Sequence, residues 1–254
     1  MKLISLQSGS NGNCIYVEAA GVRLLFDAGI SGLSAERRLA AHSIDIREVD
    51  ALLISHDHTD HISHSGIFQR KYGMPVHVTK RTLAAALERK KLGKLHTVCH
   101  FRPGGVLDFG RVRVETVPTT HDATEGVGFV VDDGRRRLGI LTDLGHVFEG
   151  LTDTVSTLDA LFIESNYDPQ MLACGPYPAY LKDRIAGSSG HISNSECARL
   201  IKEHGKSLRW ACLGHLSEQN NTPELTERTH REILGQGFPL HVASRYEASG
   251  VFTV

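Results

Sequence analysis

The sequence predicts an α/β fold in which sheet packs on sheet with helices outside. Three observations lead there. Strand-like segments open the chain, strands then mix with helices, and the two halves have comparable make-up. At 254 residues, 41% hydrophobic and 22% charged, the chain is long for an average domain, but α/β folds of this size form single units. No Pro-rich linker, low-complexity tract or internal repeat divides it, so one domain over residues 1–254 is expected.

Taken in order, residues 1–6, 14–18 and 22–27 alternate or run apolar between turn residues and read as strands. The first two flank Ser8-Gly9-Ser10-Asn11-Gly12-Asn13, whose glycines and small polar residues permit tight turns. Residues 34–41 read as a helix, and 49–55 (V-D-A-L-L-I-S) as a short buried strand that leads straight into a histidine cluster. Helices are expected at 65–71 and 80–91, with a strand at 76–79 between them. Further strands are expected at 111–117, 127–132, 137–142, 160–164, 210–214 and 241–243. Residues 195–204 form an amphipathic helix with Ser193 and Asn194 as candidate caps and Gly205 as its stop. Thr222-Pro223 opens another, with Thr as cap and Pro at the first helical position.

Lys+Arg 28 against Asp+Glu 29 gives a net charge of -1. Whole-chain charge therefore excludes nothing about nucleic acid, and only a local patch could speak for it. Five cysteines, scattered and without a C-x-x-C pair, exclude a disulfide framework or zinc ribbon and suit a reducing compartment. The chain turns polar within its first nine residues, too early for a signal peptide, and no window is apolar enough to span a membrane. A cytoplasmic protein without membrane attachment is expected.

Fifteen histidines are unusual, and the densest cluster is Ser55-His56-Asp57-His58-Thr59-Asp60-His61. Imidazole and carboxylate are donors suited to zinc and similar divalent ions. His56 and His58 are two apart, so an extended chain turns both to one side. Asp60 and His61, in the turn that follows, could face a second ion. Two ions need more ligands, each placed just past a strand. His121, Asp143 and His215 meet that requirement. Asp27 also ends a strand, though a turn-forming Asp before Ala28-Gly29 is an equal reading.

In these residues the chain resembles the metallo-β-lactamase superfamily, which implies a four-layer αββα sandwich with a dinuclear metal site on one edge. By that resemblance His56, His58 and His121 hold one ion, Asp60, His61 and His215 the other, and Asp143 bridges. Asp27 would orient the ligand loop from behind. The ions would be zinc or manganese, two per chain. Secreted β-lactamases are disfavoured by the missing export signal. The ribonuclease J and CPSF type needs an inserted domain between Asp143 and His215, and the ribonuclease Z type an arm between His121 and Asp143; neither interval has room. Yet Leu161-Phe162-Ile163-Glu164-Ser165 and Gly190-His191-Ile192-Ser193-Asn194 are similar to ribonuclease Z motifs in which a Glu and His pair near the scissile phosphate. The catalytic assignment falls on His191, Glu164 and Asp60, with His191 protonating the leaving oxygen.

Nearly the whole chain resembles the YycJ (WalJ) group of metallo-hydrolases. The shared stretches include residues 8–14, 56–61, 120–123, 141–145, 164–168, 175–178, 190–194 and 214–221. That resemblance implies a 5′-to-3′ exonuclease on double-stranded DNA. Other classes remain: a thioester or small-ester hydrolase of the glyoxalase II kind, and a metal-bearing partner-binding module. Residues 80–102 carry seven basic residues, Arg89, Lys90 and Lys91 among them, against the single acid Glu88. Such a run could meet phosphates or be a solvated face. The loop at 8–13 could likewise present amides to a phosphate or be only a turn. His64 and His146 are not expected to be ligands. Oligomeric state is open.

Overall fold

The computed structural model describes residues 1–89 and 91–254. Its strands are β1 (Lys2–Gln7), β2 (Cys14–Ala19), β3 (Val22–Phe26), β4 (Ala51–Leu53), β5 (Val76–Thr79), β6 (Val98–Phe101), β7 (Val106–Asp108), β8 (Arg113–Pro118), β9 (Val127–Asp132), β10 (Arg137–Leu141), β11 (Ala160–Glu164), β12 (Trp210–Gly214), β13 (Leu240–Val242) and β14 (Phe252–Thr253). The helices are α1 (Gly32–Ala40), α2 (Thr59–Ile62), α3 (Ser65–Tyr72), α4 (Lys80–Arg89), α5 (Glu149–Ser156), α6 (Pro169–Cys174), α7 (Ala179–Ala186), α8 (Asn194–His204) and α9 (Pro223–Leu234). One sheet has the order β14-β1-β2-β3-β4-β5-β6 and the other β13-β12-β11-β10-β9-β8-β7.

Period-two alternation explains the layering. In β3, Leu24 and Phe26 enter the core between the sheets, while Leu25 faces the helices outside the first sheet. In β11, Phe162 enters the same inter-sheet core, while Leu161 and Ile163 meet Leu151, Val155, Leu200 and Ile201 of α5 and α8. Phe26 and Phe129 join the two sheets with ring centroids 5.1 Å apart. The result is helix, sheet, sheet, helix, as the sequence resemblance implied. Ser193 caps α8 and exchanges hydrogen bonds with Glu196, the reciprocal arrangement of a capping box.

Differences from expectation have local causes. The expected strand 49–55 is shortened to β4 because the Ser55 amide leaves the sheet for the Asp27 carboxylate, at 2.8 Å. The turn expected after His58 is the short helix α2. Of the helix expected at 80–91, Lys90 lies outside the described residues and Lys91 is already loop. Strands β6 and β7 gave no signal: β6 lies at a sheet edge with two of its four residues exposed, and β7 has three residues. Helix α7 buries no residue, so it leaves no apolar stripe to read.

Candidate metal centre

The candidate ligands, with Asp27 and Glu164, arrive at the same edge of the sandwich, each delivered by the end of a strand or the loop beyond it. β3 delivers Asp27, β4 the His56–His61 segment, β8 His121, β10 Asp143, β11 Glu164 and β12 His215; His191 precedes α8. Among the described residues, three of the five with positive φ that are not glycine are Asp27 (φ 64), Asp143 (φ 55) and His215 (φ 54). These left-handed turns are held in place by what the side chains then bind.

His56, His58 and His121 each offer one donor atom, all mutually within 4.8 Å; so do Asp60, His61 and His215. Between the groups, Asp143 Oδ1 lies 3.6 Å from Nε2 of both His121 and His215. His191 and Glu164 form a third group with Asp143 and His215. His64 is outside these groups and contacts Ser63 Oγ at 3.0 Å. His146 is also outside them, its Nδ1 donating to the Ser188 carbonyl at 2.7 Å.

One ring nitrogen of most of these imidazoles is anchored from behind. His61 Nδ1 lies 2.7 Å from Asp27 Oδ2, His121 Nδ1 2.7 Å from the Gly190 carbonyl, and His56 Nδ1 2.9 Å from Ser55 Oγ. Ser55 Oγ in turn donates to Asp27 Oδ2 at 2.9 Å. With protons on the anchored nitrogens, the others turn bare lone pairs inward, toward one another and toward carboxylates. His56 Nε2 and Asp143 Oδ2 are buried with no hydrogen-bond partner; Oδ2 lies 3.2 Å from His61 Nε2 but without hydrogen-bond alignment. Converging, unpartnered acceptors are costly unless a cation sits among them. The donor set therefore fits divalent ions.

Electrostatics divides the site. Burial, then neighbouring imidazoles, pushes His56 and His58 below the ordinary histidine range. Burial also opposes charge on His61 and His215, but Asp143 and the adjacent carboxylates outweigh it, raising both, His215 to about 10. Asp60 and Asp143 are held well below the carboxylate range against burial by the histidines facing them. One half is thus held as neutral imidazole, while in the other carboxylates and histidines stabilise one another's charge. Glu164 is fully buried; burial resists its ionisation, yet His191 and His215 bring it down to about 2. Its Oε1 lies 2.5 Å from His191 Nδ1 and 3.3 Å from His215 Nδ1, while Oε2 accepts the Leu144 amide at 3.1 Å.

Several supporting residues escaped the sequence reading. Asp57, inside the histidine cluster, points away from the candidate ligands. It accepts Thr124 N at 2.9 Å, Thr124 Oγ1 at 3.0 Å and Arg89 Nη1 at 2.7 Å. Arg89 is therefore tied to the metal loop and is not simply one charge of a basic run. The loop at 8–13 is a brace: the Gly9 amide donates to Asn13 Oδ1, Gly12 N to Gly9 O and Asn13 N to Asp60 O. Those three amides are spent within the brace, which favours the turn reading of the loop. Ser8 Oγ accepts the His215 amide at 2.8 Å. Gly29 is required because a Cβ there would lie 1.7 Å from the Asp60 carbonyl, and Gly190 because one would lie 2.1 Å from that of Ile185.

Residues 22–215 match the family described as the beta-lactamase superfamily domain. The chain is 36% identical over 236 residues to the exodeoxyribonuclease WalJ of Streptococcus pneumoniae, spanning 91% of this chain and 87% of that protein. It is 33% identical over 249 residues to the exodeoxyribonuclease YycJ of Bacillus anthracis, spanning 93% and 92%. The chain belongs to the metallo-β-lactamase superfamily, in its YycJ/WalJ group. Solved structures agree on the fold of this superfamily member. The metallo-β-lactamase fold protein YhfI of Bacillus subtilis superposes with a TM-score of 0.76 at 16% identity, covering 99% of each chain. The short form of human tRNase Z gives 0.67 at 15%, covering 98% of this chain and 99% of that one.

Proposed function

We propose that this protein is a dinuclear metal-dependent phosphodiesterase, a 5′-to-3′ exonuclease acting on DNA. The observation that carries the reading is the Glu164–His191 pair beside the candidate ligands. His56, His58 and His121 would hold one ion and Asp60, His61 and His215 the second, with Asp143 placed between the two groups, and zinc or manganese as the metal. Divalent ions held there supply Lewis acidity and positive charge toward the reacting phosphodiester.

The chain's own groups do the rest. His191 Nδ1 is engaged by Glu164 at 2.5 Å, which fixes the ring and leaves Nε2 free to give a proton to the leaving oxygen. His191 lines a pocket of about 230 Å³ together with His58, Asp60, Tyr177 and Arg184. Arg184 Nε donates to Asp122 at 2.6 Å; it and Arg89 line an adjoining groove with His58 and Asp60. These two guanidinium groups are suited to phosphates flanking the scissile one.

The relatives' exodeoxyribonuclease names favour a nuclease over the thioesterase alternative and support DNA as substrate. We treat residues 1–254 as one domain, because the inter-sheet core takes Leu3 from one end and Phe252 and Val254 from the other. The five cysteines are free, which fits a cytoplasmic setting; among the described residues no helix is long and apolar enough to cross a membrane.

The test is a digestion panel of end-labelled single- and double-stranded DNA and RNA, with each metal returned to chelated protein. Duplex DNA should shorten from its 5′ ends. Degradation of RNA alone would overturn DNA as substrate, and turnover of acyl-glutathione with none on nucleic acid would overturn the nuclease.

A further inference from the structure

Beside the pocket at the metal centre lies a second cavity of about 400 Å³, for which the roles above have no use. Ser217 lines both, and the dividing wall is the chain as it leaves His215 through Leu216 and Ser217. The volume falls within the roughly 300–1,000 Å³ of small-molecule sites. Leu216, Pro223, Val242, Ala243 and Tyr246 supply apolar walls.

The polar edge is made of three hydroxyls, of Ser217, Thr222 and Ser244. Ser217 Oγ accepts from Asn220 N and Nδ2, both at 3.3 Å. Thr222 Oγ1 accepts from Leu225 N at 3.1 Å, and Ser244 Oγ from the amides of Tyr246 and Glu247, each at 3.1 Å. Each hydroxyl is thus fixed as an acceptor, while its own proton has no acceptor among the described residues. Three O–H donors remain for a ligand that brings acceptors.

The rim is held firmly. Arg245 donates to the Leu216 carbonyl at 2.6 Å and to Glu218 Oε2 at 3.3 Å. The Tyr246 hydroxyl donates to Glu218 Oε1 at 3.0 Å, and Arg38 holds the Tyr246 carbonyl. Tyr246 is nonetheless 61% exposed. A large aromatic fixed at its far end and open to solvent is poorly explained by packing, and is pre-organised for stacking.

We propose that this cavity binds the nucleobase attached to the phosphodiester at the metal centre. Tyr246 stacks on the base, and Ser217, Thr222 and Ser244 donate to its ring nitrogens and carbonyl oxygens. A base matches the site because it joins flat apolar faces to an edge rich in acceptors. All four bases share those features, so the site tolerates any sequence. The proposal rests on the nuclease reading and names the substrate group next to the cleaved bond.

The test compares two inhibitors of DNA hydrolysis by the metal-loaded protein: deoxyadenosine 5′-monophosphate and deoxyribose 5-phosphate, which lacks the base. The nucleotide should inhibit about tenfold more tightly. Tyr246→Ala should reduce that advantage to about twofold, and Tyr246→Trp should restore it. Because the readout is a ratio within one protein, partial misfolding of a variant cancels. Equal inhibition by the two compounds in the wild type overturns the proposal, as does an undiminished ratio in Tyr246→Ala. Wild-type protein that degrades DNA yet shows no advantage refutes the base site alone; one that degrades no nucleic acid refutes the reading beneath it.

Discussion

Replacing Asp27 by Asn alters one atom, and the consequence can be worked through its hydrogen bonds. Oδ1 accepts the Ser55 amide at 2.8 Å, while Oδ2 accepts from His61 Nδ1 at 2.7 Å and Ser55 Oγ at 2.9 Å. An Asn side chain keeps the first bond and puts an NH₂ group where two donors point. The backbone tolerates the change, since Asn readily adopts the positive φ of 64° found there. His61 must then move its proton to Nε2, the atom that faces Asp60 and Asp143, and loses its inward lone pair. Losing such an orienting partner costs about 10- to 100-fold in metal affinity, or about 1.4 to 2.8 kcal/mol. The loss should be larger at the ion held by His61, which Asp27 touches directly, than at the ion held by His56, which feels Asp27 only through Ser55 Oγ. Chelator-competition titration of wild type and Asp27→Asn measures both sites, with urea unfolding of the metal-free proteins as a fold control. Two ions bound within twofold of wild-type affinity would refute the reasoning, either as to His61 as ligand or as to Asp27 as its anchor.

Other perturbations separate the remaining roles. His191→Ala should lower turnover by about 10² to 10⁴ with metal content unchanged; loss of an ion in elemental analysis would make His191 a ligand. Lys91→Ala with Lys94→Ala tests the basic run without touching the Arg89–Asp57 pair. DNA affinity should fall equally for all sequences, and the salt slope should flatten by roughly 0.9 for each lost phosphate contact; an unchanged slope returns these lysines to a solvated face. His230 is buried in α9, its Nδ1 donating to Thr226 O at 2.9 Å. Burial lowers its pKa from 6.5 to about 4. The unfolded chain therefore binds the extra proton first, so stability should fall as pH drops from about 6.5 to 4 and level off below, by about 3 kcal/mol in all. His230→Asn should flatten that limb in urea titrations; an unchanged limb would assign it to other groups.

The sequence was most legible where one residue type has one use. Histidines and aspartates at strand ends have few structural reasons to gather, and the eight residues from Asp27 to His215 do meet at one edge. Long alternating strands such as β9 and β11 were readable to the residue, because each face meets a different layer. Legibility failed where the partner is distant in sequence. Nothing in H-D-H marks Asp57 as the acceptor for Thr124 and Arg89, which lie 67 and 32 residues away. Asn13 and Ser8 likewise look like turn residues until Asp60 and His215 are brought against them. Edge strand β6 and helix α7 bury too little to imprint a period on the sequence.

The central claim is that hydrolysis of DNA depends on two ions in this site. The most direct measurement is a titration of exonuclease activity on 5′-labelled duplex DNA as zinc or manganese is returned stepwise to chelated protein. The account predicts no release of label without metal and a rate that stops rising at two equivalents per chain. Full activity in the metal-free protein, or a plateau at one equivalent, would contradict it.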